Sequence, residues 1–227
     1  FDKGLTKNNK YKPKRVKRVR EQVYNIYLNE KELKKLHKHD FSSIPHLDNA
    51  CDLFLIGAYT GLRFQDYSDL EGVNFSGGQF MIRDTQKTGA RVIIPQHPIV
   101  KEILAKREGK LHHSISNHTL RTYVQTIGEK AKINDEVVKT RTEGGKKVKR
   151  TFKKHQLMSS HTARRSLATN LYLAGIPVKS IMMLTGHSTI TQLMSYIKVT
   201  EQEQAQALQN HSFFKPKKKK KKKKKGN

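Results

Sequence analysis

Two short motifs in the C-terminal half of the chain place histidine, arginine and tyrosine at spacings that suit phosphate chemistry. His161 and Arg164 stand three residues apart near a predicted helix start, so both side chains lie on one face beside free backbone N–H groups. Farther along, Gly186-His187 is followed by Tyr196. A phosphate is a natural ligand for the first pair, and the tyrosine hydroxyl is a candidate nucleophile.

An earlier segment, Thr60-Gly61-Leu62-Arg63, ends a predicted apolar helix on an arginine. Burying that charge requires an anionic partner, and the planar guanidinium of Arg63 matches the oxygens of a phosphate. Asp66 is predicted to orient Arg63 or a neighbour, and a purely structural Arg63–Asp66 ion pair is the alternative. Lys87 lies in a predicted turn between two strands, where a lysine either reaches into a groove or is merely solvated.

Each of these signals has a simpler explanation when it is taken singly. The pair His161 and Arg164 also fits an exposed polar first turn, and the apolar segment around Tyr196 also fits a core aromatic. A phenol is mostly protonated at neutral pH, so nearby positive charge is needed to favour the phenolate. The residues therefore predict a cationic phosphate site only as an ordered set.

This ordered set resembles the active site of the tyrosine recombinases of the lambda-integrase type, over residues 22–205. The resemblance implies an enzyme that cuts and rejoins DNA through a 3′-phosphotyrosyl intermediate, without metal or cofactor, in a bacterial mobile element. His187 would donate a hydrogen bond to the phosphate, and Asp66 would support the site. The implied catalytic residues are Arg63, Lys87, His161, Arg164, His187 and Tyr196, the nucleophile.

The resemblance also implies how these residues share the reaction. Tyr196 would attack the scissile phosphate while Arg63 and Arg164 hold its non-bridging oxygens. Lys87 would protonate the leaving 5′-oxygen, and His161 would accept the tyrosine proton or hydrogen-bond the phosphate.

Other functions share some of these features. A type IB topoisomerase has the same chemistry but relaxes DNA without a partner site, and a DNA-binding module that has lost catalysis would keep the basic surface. An RNA-binding or ribosomal protein would explain the charge but not the ordered motifs.

The family's reaction uses four protomers on two duplexes, so the resemblance implies a tetramer on synapsed double-stranded DNA and a monomer when free. Residues 201–209 would dock onto a neighbouring protomer. An N-terminal core-binding domain is expected in a longer protein, and the expected location is the bacterial cytoplasm, at the nucleoid.

The charge of the chain fits a DNA partner. Its 46 Lys and Arg against 19 Asp and Glu give a net charge of +27, which is still +18 without the nine lysines of Lys217–Lys225. A lysine-rich solvated surface is the alternative. The predicted DNA contacts outside the catalytic set are Lys12, Lys14, Arg15, Lys17, Arg18 and Arg165.

The predicted fold is mainly α (α+β), a helical catalytic domain with a small antiparallel three-stranded sheet. Residues 1–21 are predicted to be a basic linker, 22–211 the catalytic domain, and 212–227 a disordered Lys-rich tail. Three or four short helices should follow Ser160, with Ser188 capping the third. The pattern further predicts a capping box at Asn29 and Glu32, helices over 47–62, 97–108 and 117–131, strands over 79–83 and 91–95, and a basic hairpin at Gly144-Gly145.

The remaining candidates indicate packing rather than chemistry. Cys51 lies on an apolar helical stripe, so burial is favoured over a reactive thiol, and a single cysteine fits a reducing compartment. His112-His113 lacks companion ligands, so no metal site is predicted. No apolar run reaches the roughly 18 residues of a membrane span, so no membrane partner is expected.

Overall fold

The computed structural model describes residues 25–70, 73–76, 78–87, 89, 91–108, 115–143, 146–211 and 213–214. The predicted basic linker, the lysine run and His112-His113 lie outside these residues. The elements in chain order are α1 (Glu30–Lys38), α2 (Pro45–Thr60), α3 (Phe64–Tyr67), β1 (Asn74–Ser76), β2 (Phe80–Asp84), β3 (Arg91–Pro95), α4 (Pro98–Lys106), α5 (Asn117–Lys130), β4 (Glu136–Glu143), β5 (Lys146–Lys153), a 3-10 helix (Lys154–Leu157), α6 (Ser160–Leu173), α7 (Val178–Thr185), α8 (Ile190–Tyr196) and α9 (Glu201–Asn210).

Helix α2 forms the centre of the core because apolar residues occur on every side of it. Nearly all of its residues from Leu47 to Thr60 are buried, and it packs against α1, α4, α5 and α6. Pro45 occupies its first turn, which explains why the helix begins before the predicted residue. Cys51 is buried within it, with Sγ 3.7 Å from the carbonyl oxygen of Leu36, in agreement with its apolar stripe.

The three-stranded antiparallel sheet is confirmed, in the order β1-β2-β3. Strands β2 and β3 pair in register from Phe80 with Pro95 to Asp84 with Arg91. Strand β1 has only three residues, too few for alternation to reveal it in the sequence. Because β3 contacts α7, the sheet lies beside the C-terminal helices.

The predicted basic hairpin is also present. Strands β4 and β5 pair along their whole length, from Glu136 with Lys153 to Glu143 with Lys146. Most of its side chains are exposed or only half-buried. Five residues of β5 are cationic: Lys146, Lys147, Lys149, Arg150 and Lys153.

Helices α6, α7 and α8 share a small apolar cluster that is separate from the main core. Gly186, at a φ of +66°, ends α7 as predicted. The prediction that Ser188 caps the next helix is wrong. The helix begins at Ile190, so the side chain of Thr189 is the one that accepts from the backbone N–H of Gln192, at 3.2 Å.

The two ends of the described chain meet on the same side of the core. The predicted capping box of α1 is present, with Asn29 and Glu32 bonding reciprocally. Helix α9 packs against α6, and the hydroxyl of Tyr27 donates to the carboxylate of Glu203 in α9. Among the described residues, no helix is long and apolar enough to cross a bilayer.

Candidate active site

Gly61 separates the core helix from the first predicted arginine. Its N–H donates to Gly57 O at 3.0 Å and its φ is +67°, a conformation that ends α2. A Cβ at this position would lie 2.5 Å from Leu167 Cδ2, so a larger residue does not fit without movement. Arg63 therefore does not end α2, as the sequence predicted, but immediately precedes α3 in extended backbone.

Arg164 is the most deeply buried cation of the site, with 3% of its surface exposed. Its Nη1 donates to Gly61 O at 2.9 Å, and its Nη2 lies 3.2 Å from Nε2 of His187. Burial, followed by the positive charge of Arg63, lowers the pKa of Arg164 to about 10, which leaves it charged at neutral pH. Arg164 is thus anchored by a peptide oxygen and an imidazole, both of which are neutral.

His187 is held in one tautomer by Thr185. The Thr185 hydroxyl donates to the carbonyl oxygen of Ile181 at 2.6 Å, and its Oγ1 lies 2.7 Å from His187 Nδ1. Because the single hydroxyl proton is already used, Nδ1 must carry a proton and donate to Oγ1. Burial and the charges of Arg164 and Arg63 lower the pKa of His187 to about 4, so the ring is neutral at pH 7. Nε2 is then a lone-pair acceptor for Arg164.

Tyr196 ends α8 with its ring among these groups. Its ring centroid lies 4.9 Å from that of His187, 5.6 Å from Arg164 Cζ and 5.8 Å from Arg165 Cζ. The ring also packs on the small apolar cluster of α6, α7 and α8. The same side chain therefore contributes to packing and lies beside two guanidinium groups.

His161 lies in the first turn of α6 and remains partly exposed. Partial burial and the charges of Arg165, Arg164 and Arg63 lower its pKa, so the imidazole is neutral at pH 7. A neutral imidazole is able to accept a proton from a phenol that is brought within reach of it. The helix start that supplies this position is fixed by Ser159, whose N–H donates to Thr162 Oγ1 at 3.0 Å.

Asp66 anchors the loop that carries Lys87. It is 1% exposed, and its Oδ1 accepts from the backbone N–H of Gln86 at 2.8 Å and lies 4.0 Å from Arg83 Nε. Lys87 follows Gln86 and is exposed. Within the described part of the chain no ion pair joins Asp66 to Arg63, so the carboxylate acts on the turn between β2 and β3.

Each of the two site arginines has a buried N–H group without a hydrogen-bond partner among the described residues, Arg63 Nη1 and Arg164 Nε. An unsatisfied buried donor costs about 1–3 kcal/mol, and more when it is charged. An anion between these side chains would accept from both groups. The electrostatics and the unpaired donors therefore favour a phosphate at this position.

Comparison with known proteins identifies the family to which the chain belongs. The sequence profile of the Phage integrase family matches residues 26–203. The chain belongs to the Phage integrase family. A comparison with curated proteins found no significant match.

Solved structures of tyrosine recombinases share the fold of this Phage integrase domain. XerA recombinase has a TM-score of 0.58 and 15% identity, over 87% of this chain and 67% of its own. A lambda integrase (75-356) dimer bound to a COC′ core site has a TM-score of 0.55 and 20% identity, over 81% and 62%. XerH bound to palindromic difH substrate has a TM-score of 0.54 and 19% identity, over 81% and 52%. The fold is that of a tyrosine recombinase catalytic domain, and the chain spans about half to two thirds of these proteins.

Only some of the predicted catalytic residues of this integrase domain contact one another. Arg164, His187 and Tyr196 contact one another, whereas Arg63 and His161 are near enough to affect the same pKa values. Lys87 forms no hydrogen bond or ion pair with any residue that the structure describes. Five predicted DNA contacts lie outside the described residues: Lys12, Lys14, Arg15, Lys17 and Arg18.

Sequence reasoning assigned no role to Thr185 or to the carbonyl of Gly61. Thr185 directly precedes Gly186-His187, and a hydroxyl so close to a histidine is a local signal for a tautomer-fixing partner. The carbonyl of Gly61 gave no signal, because its partner lies 103 residues away in sequence. Among the described residues, no group of three or more His, Cys, Asp or Glu could hold a metal ion.

Proposed function

We propose that this domain catalyses site-specific DNA recombination, cutting one strand through Tyr196 and rejoining it to another, in the integrase of a bacterial mobile element. The observation that carries the proposal is the position of the Tyr196 ring, against two guanidinium groups and the neutral His187. Family membership supports it, and so do the structural relatives crystallised on DNA, among them a XerH post-cleavage complex.

In the proposed cleavage step, the hydroxyl oxygen of Tyr196 attacks the scissile phosphorus. A phosphorus–oxygen bond to the tyrosine forms as the bond to the 5′-oxygen breaks, which leaves a 3′-phosphotyrosyl bond and a free 5′-hydroxyl. His161, neutral at pH 7, takes the tyrosine proton. Lys87 delivers a proton to the 5′-oxygen, from the loop that Asp66 anchors. Rejoining reverses these steps, so the phosphodiester energy is conserved.

The arginines supply electrostatic stabilisation. Arg63 and Arg164 would donate to the non-bridging oxygens, where negative charge increases in the transition state. Arg164 is positioned before DNA arrives by its bond to Gly61 O, so little reorganisation is needed. The unpaired donors Arg63 Nη1 and Arg164 Nε would gain acceptors in the complex.

His187 acts first on Arg164 in this proposal. In the free domain its Nε2 accepts from Arg164 Nη2, and a hydrogen bond from His187 to the phosphate requires a proton on Nε2. A phosphate nearby favours that proton because it brings negative charge. Phosphate binding would therefore couple to proton uptake at this ring.

The proposed partner is double-stranded DNA, bound by four protomers on two synapsed duplexes. The free domain is proposed to be monomeric. Phosphate contacts from so cationic a chain predict affinity that falls steeply with salt.

The direct test is covalent capture of DNA. The chain would be incubated with a labelled pool of nicked duplexes whose sequence around the nick is random, and denaturing gels would reveal protein–DNA bands. We expect a band with the wild-type chain and none with Tyr196→Phe. Tyr172→Phe is the matched control, since Tyr172 lies on α6 and faces the α9 side of the molecule.

A band that survives in Tyr196→Phe would refute the nucleophile. Absence of a band with every duplex of the pool would refute strand cleavage by this chain. Efficient relaxation of a supercoiled plasmid that carries no special target sequence would favour a type IB topoisomerase activity instead.

A further inference from the structure

A second cationic site lies next to Tyr196, in a cavity of about 620 Å³ between β4 and the first turns of α5 and α6. Its cations come from three elements, Arg121 on α5, Lys139 on β4 and Arg165 on α6, and His161 forms part of its wall. Its described lining residues include no carboxylate. This is a concentration of like charge in a concave surface.

The charges are close enough to affect one another. Partial burial, then Arg165 and Arg121, lowers the pKa of Lys139. The position of Lys139 is supported by Phe152 on β5, whose ring centroid lies 5.8 Å from Nζ. The hairpin thus holds an ammonium group beside two guanidinium groups.

Several cations elsewhere in this protein have carboxylate partners. Lys106 and Arg107 pair with Asp48 and Asp52, and Lys154 pairs with Glu32. By contrast, none of the three cavity cations forms an ion pair or a side-chain hydrogen bond with another described residue. Like charges held close together without a counter-ion repel one another, and a bound anion would relieve that repulsion.

Arg165 connects this cavity to the proposed nucleophile. Its guanidinium carbon lies 5.8 Å from the ring centroid of Tyr196, and the same side chain lines the cavity. Successive phosphates along one DNA strand are separated by a rise of about 3.4 Å along the helix axis. A strand with one phosphate at Tyr196 therefore brings the neighbouring phosphate close to Arg165.

We infer that this cavity binds a second phosphate of the cleaved strand, adjacent to the scissile one; the inference rests on the proposed function for the choice of strand. Arg121 and Lys139 donate to its oxygens, and Arg165 bridges the two phosphates. The first turns of α5 and α6 add positive dipole ends. Arg121 and Lys139 do not touch the reacting atoms, so they set DNA affinity and register rather than the rate of the chemical step.

The test scans a duplex with neutral phosphates. A duplex recovered from a random pool by binding to the wild-type chain would carry one methylphosphonate at a time, and affinity would be measured at several salt concentrations. We expect a methylphosphonate at one position to weaken binding by the wild-type chain about tenfold. In Lys139→Ala and Arg121→Ala, a methylphosphonate at that position should no longer weaken binding. Each variant should also reduce the slope of log affinity against log salt concentration by about one. Lys149→Ala, exposed on the same hairpin, is the matched control.

Any of three results would overturn the inference. The first is that the losses of affinity caused by methylphosphonate and by Lys139→Ala add independently at every position, and the second is that Lys149→Ala changes binding as much as Lys139→Ala does. The third is that Lys139→Ala lowers the rate of adduct formation at saturating DNA. Circular dichroism of each variant confirms the fold. The affinity measurements test the cavity without requiring any strand cleavage. If the effects of methylphosphonate and Lys139→Ala depend on each other but no covalent adduct forms, the proposed cleavage is refuted and the phosphate site is supported. If an adduct forms but the two effects are independent, the cleavage is supported and the phosphate site is refuted.

Discussion

Thr185→Val tests whether one hydroxyl fixes the proton arrangement of the active site. Valine keeps the shape of the side chain but removes Oγ1, which now accepts from His187 Nδ1 and donates to Ile181 O. The buried Nδ1–H would be left without a partner, at a cost of about 1–3 kcal/mol. At 1.36 kcal/mol per factor of ten, that corresponds to about 5–150-fold in an equilibrium or rate constant.

In Thr185→Val the His187 ring can keep its proton on Nδ1 or move it to Nε2, and this choice determines whether the adduct rate or the unfolding free energy falls. If the proton moves to Nε2, His187 no longer accepts from Arg164 Nη2, and an N–H faces a guanidinium instead. Arg164 would then shift, and the rate of adduct formation should fall within the range above. If the proton stays on Nδ1, the unfolding free energy should fall by about 1–3 kcal/mol instead.

Nitrogen NMR of 15N-histidine-labelled protein distinguishes the tautomers, and a suicide-duplex assay gives the adduct rate. Thr185→Ser retains the hydroxyl and should retain both the Nδ1–H tautomer and the rate. The reasoning is refuted if wild-type His187 is protonated on Nε2 at neutral pH. It is also refuted if Thr185→Val matches the wild type in tautomer, adduct rate and urea midpoint.

Three further perturbations test the fold around the site. Because the pKa of His187 is lowered to about 4, the unfolded chain takes up the extra proton first, so the free energy of unfolding in urea should fall as the pH falls from about 6.5 towards 4; a flat profile would contradict this. Gly57→Ala places a Cβ 2.7 Å from the fully buried Tyr67 ring and should lower the unfolding free energy by about 1–3 kcal/mol, whereas an unchanged urea midpoint would show that the ring yields. Lys154→Met removes the cationic partner of the buried Glu32 carboxylate, which among the described residues keeps only its bond from the Asn29 N–H, and should cost about 3–5 kcal/mol, part of which the additional substitution Glu32→Gln should restore; a double variant no better than the single one would argue against the ion pair.

The sequence predicted the parts of this fold that depend on near neighbours. The capping box of Asn29 and Glu32 and the stop at Gly186 follow from residues within one helical turn of each other. The spacing of His161 and Arg164 placed both on the first turns of α6 for the same reason. Local geometry determines such features, so the residues reveal them directly.

The partners of the site side chains could not be predicted in this way. Arg164 meets the carbonyl of Gly61, and Asp66 meets the backbone N–H of Gln86, through tertiary packing. A backbone group carries no residue-specific signal, so these contacts are invisible in one sequence. The placement of Arg63 was wrong because an αL glycine ended α2 earlier than the apolar pattern did.

The neutral anchoring of Arg164 has a consequence for the lifetime of the protein. A peptide oxygen and an uncharged imidazole hold its guanidinium without cancelling its charge, so the free domain retains the mutual repulsion among its arginines. A bound polyanion removes that repulsion and stabilises the native state according to its concentration and affinity. If the chain binds DNA as proposed, the free form should open to proteases more often than the bound form, and the rate at which the chain is degraded should fall as more of it is bound to DNA.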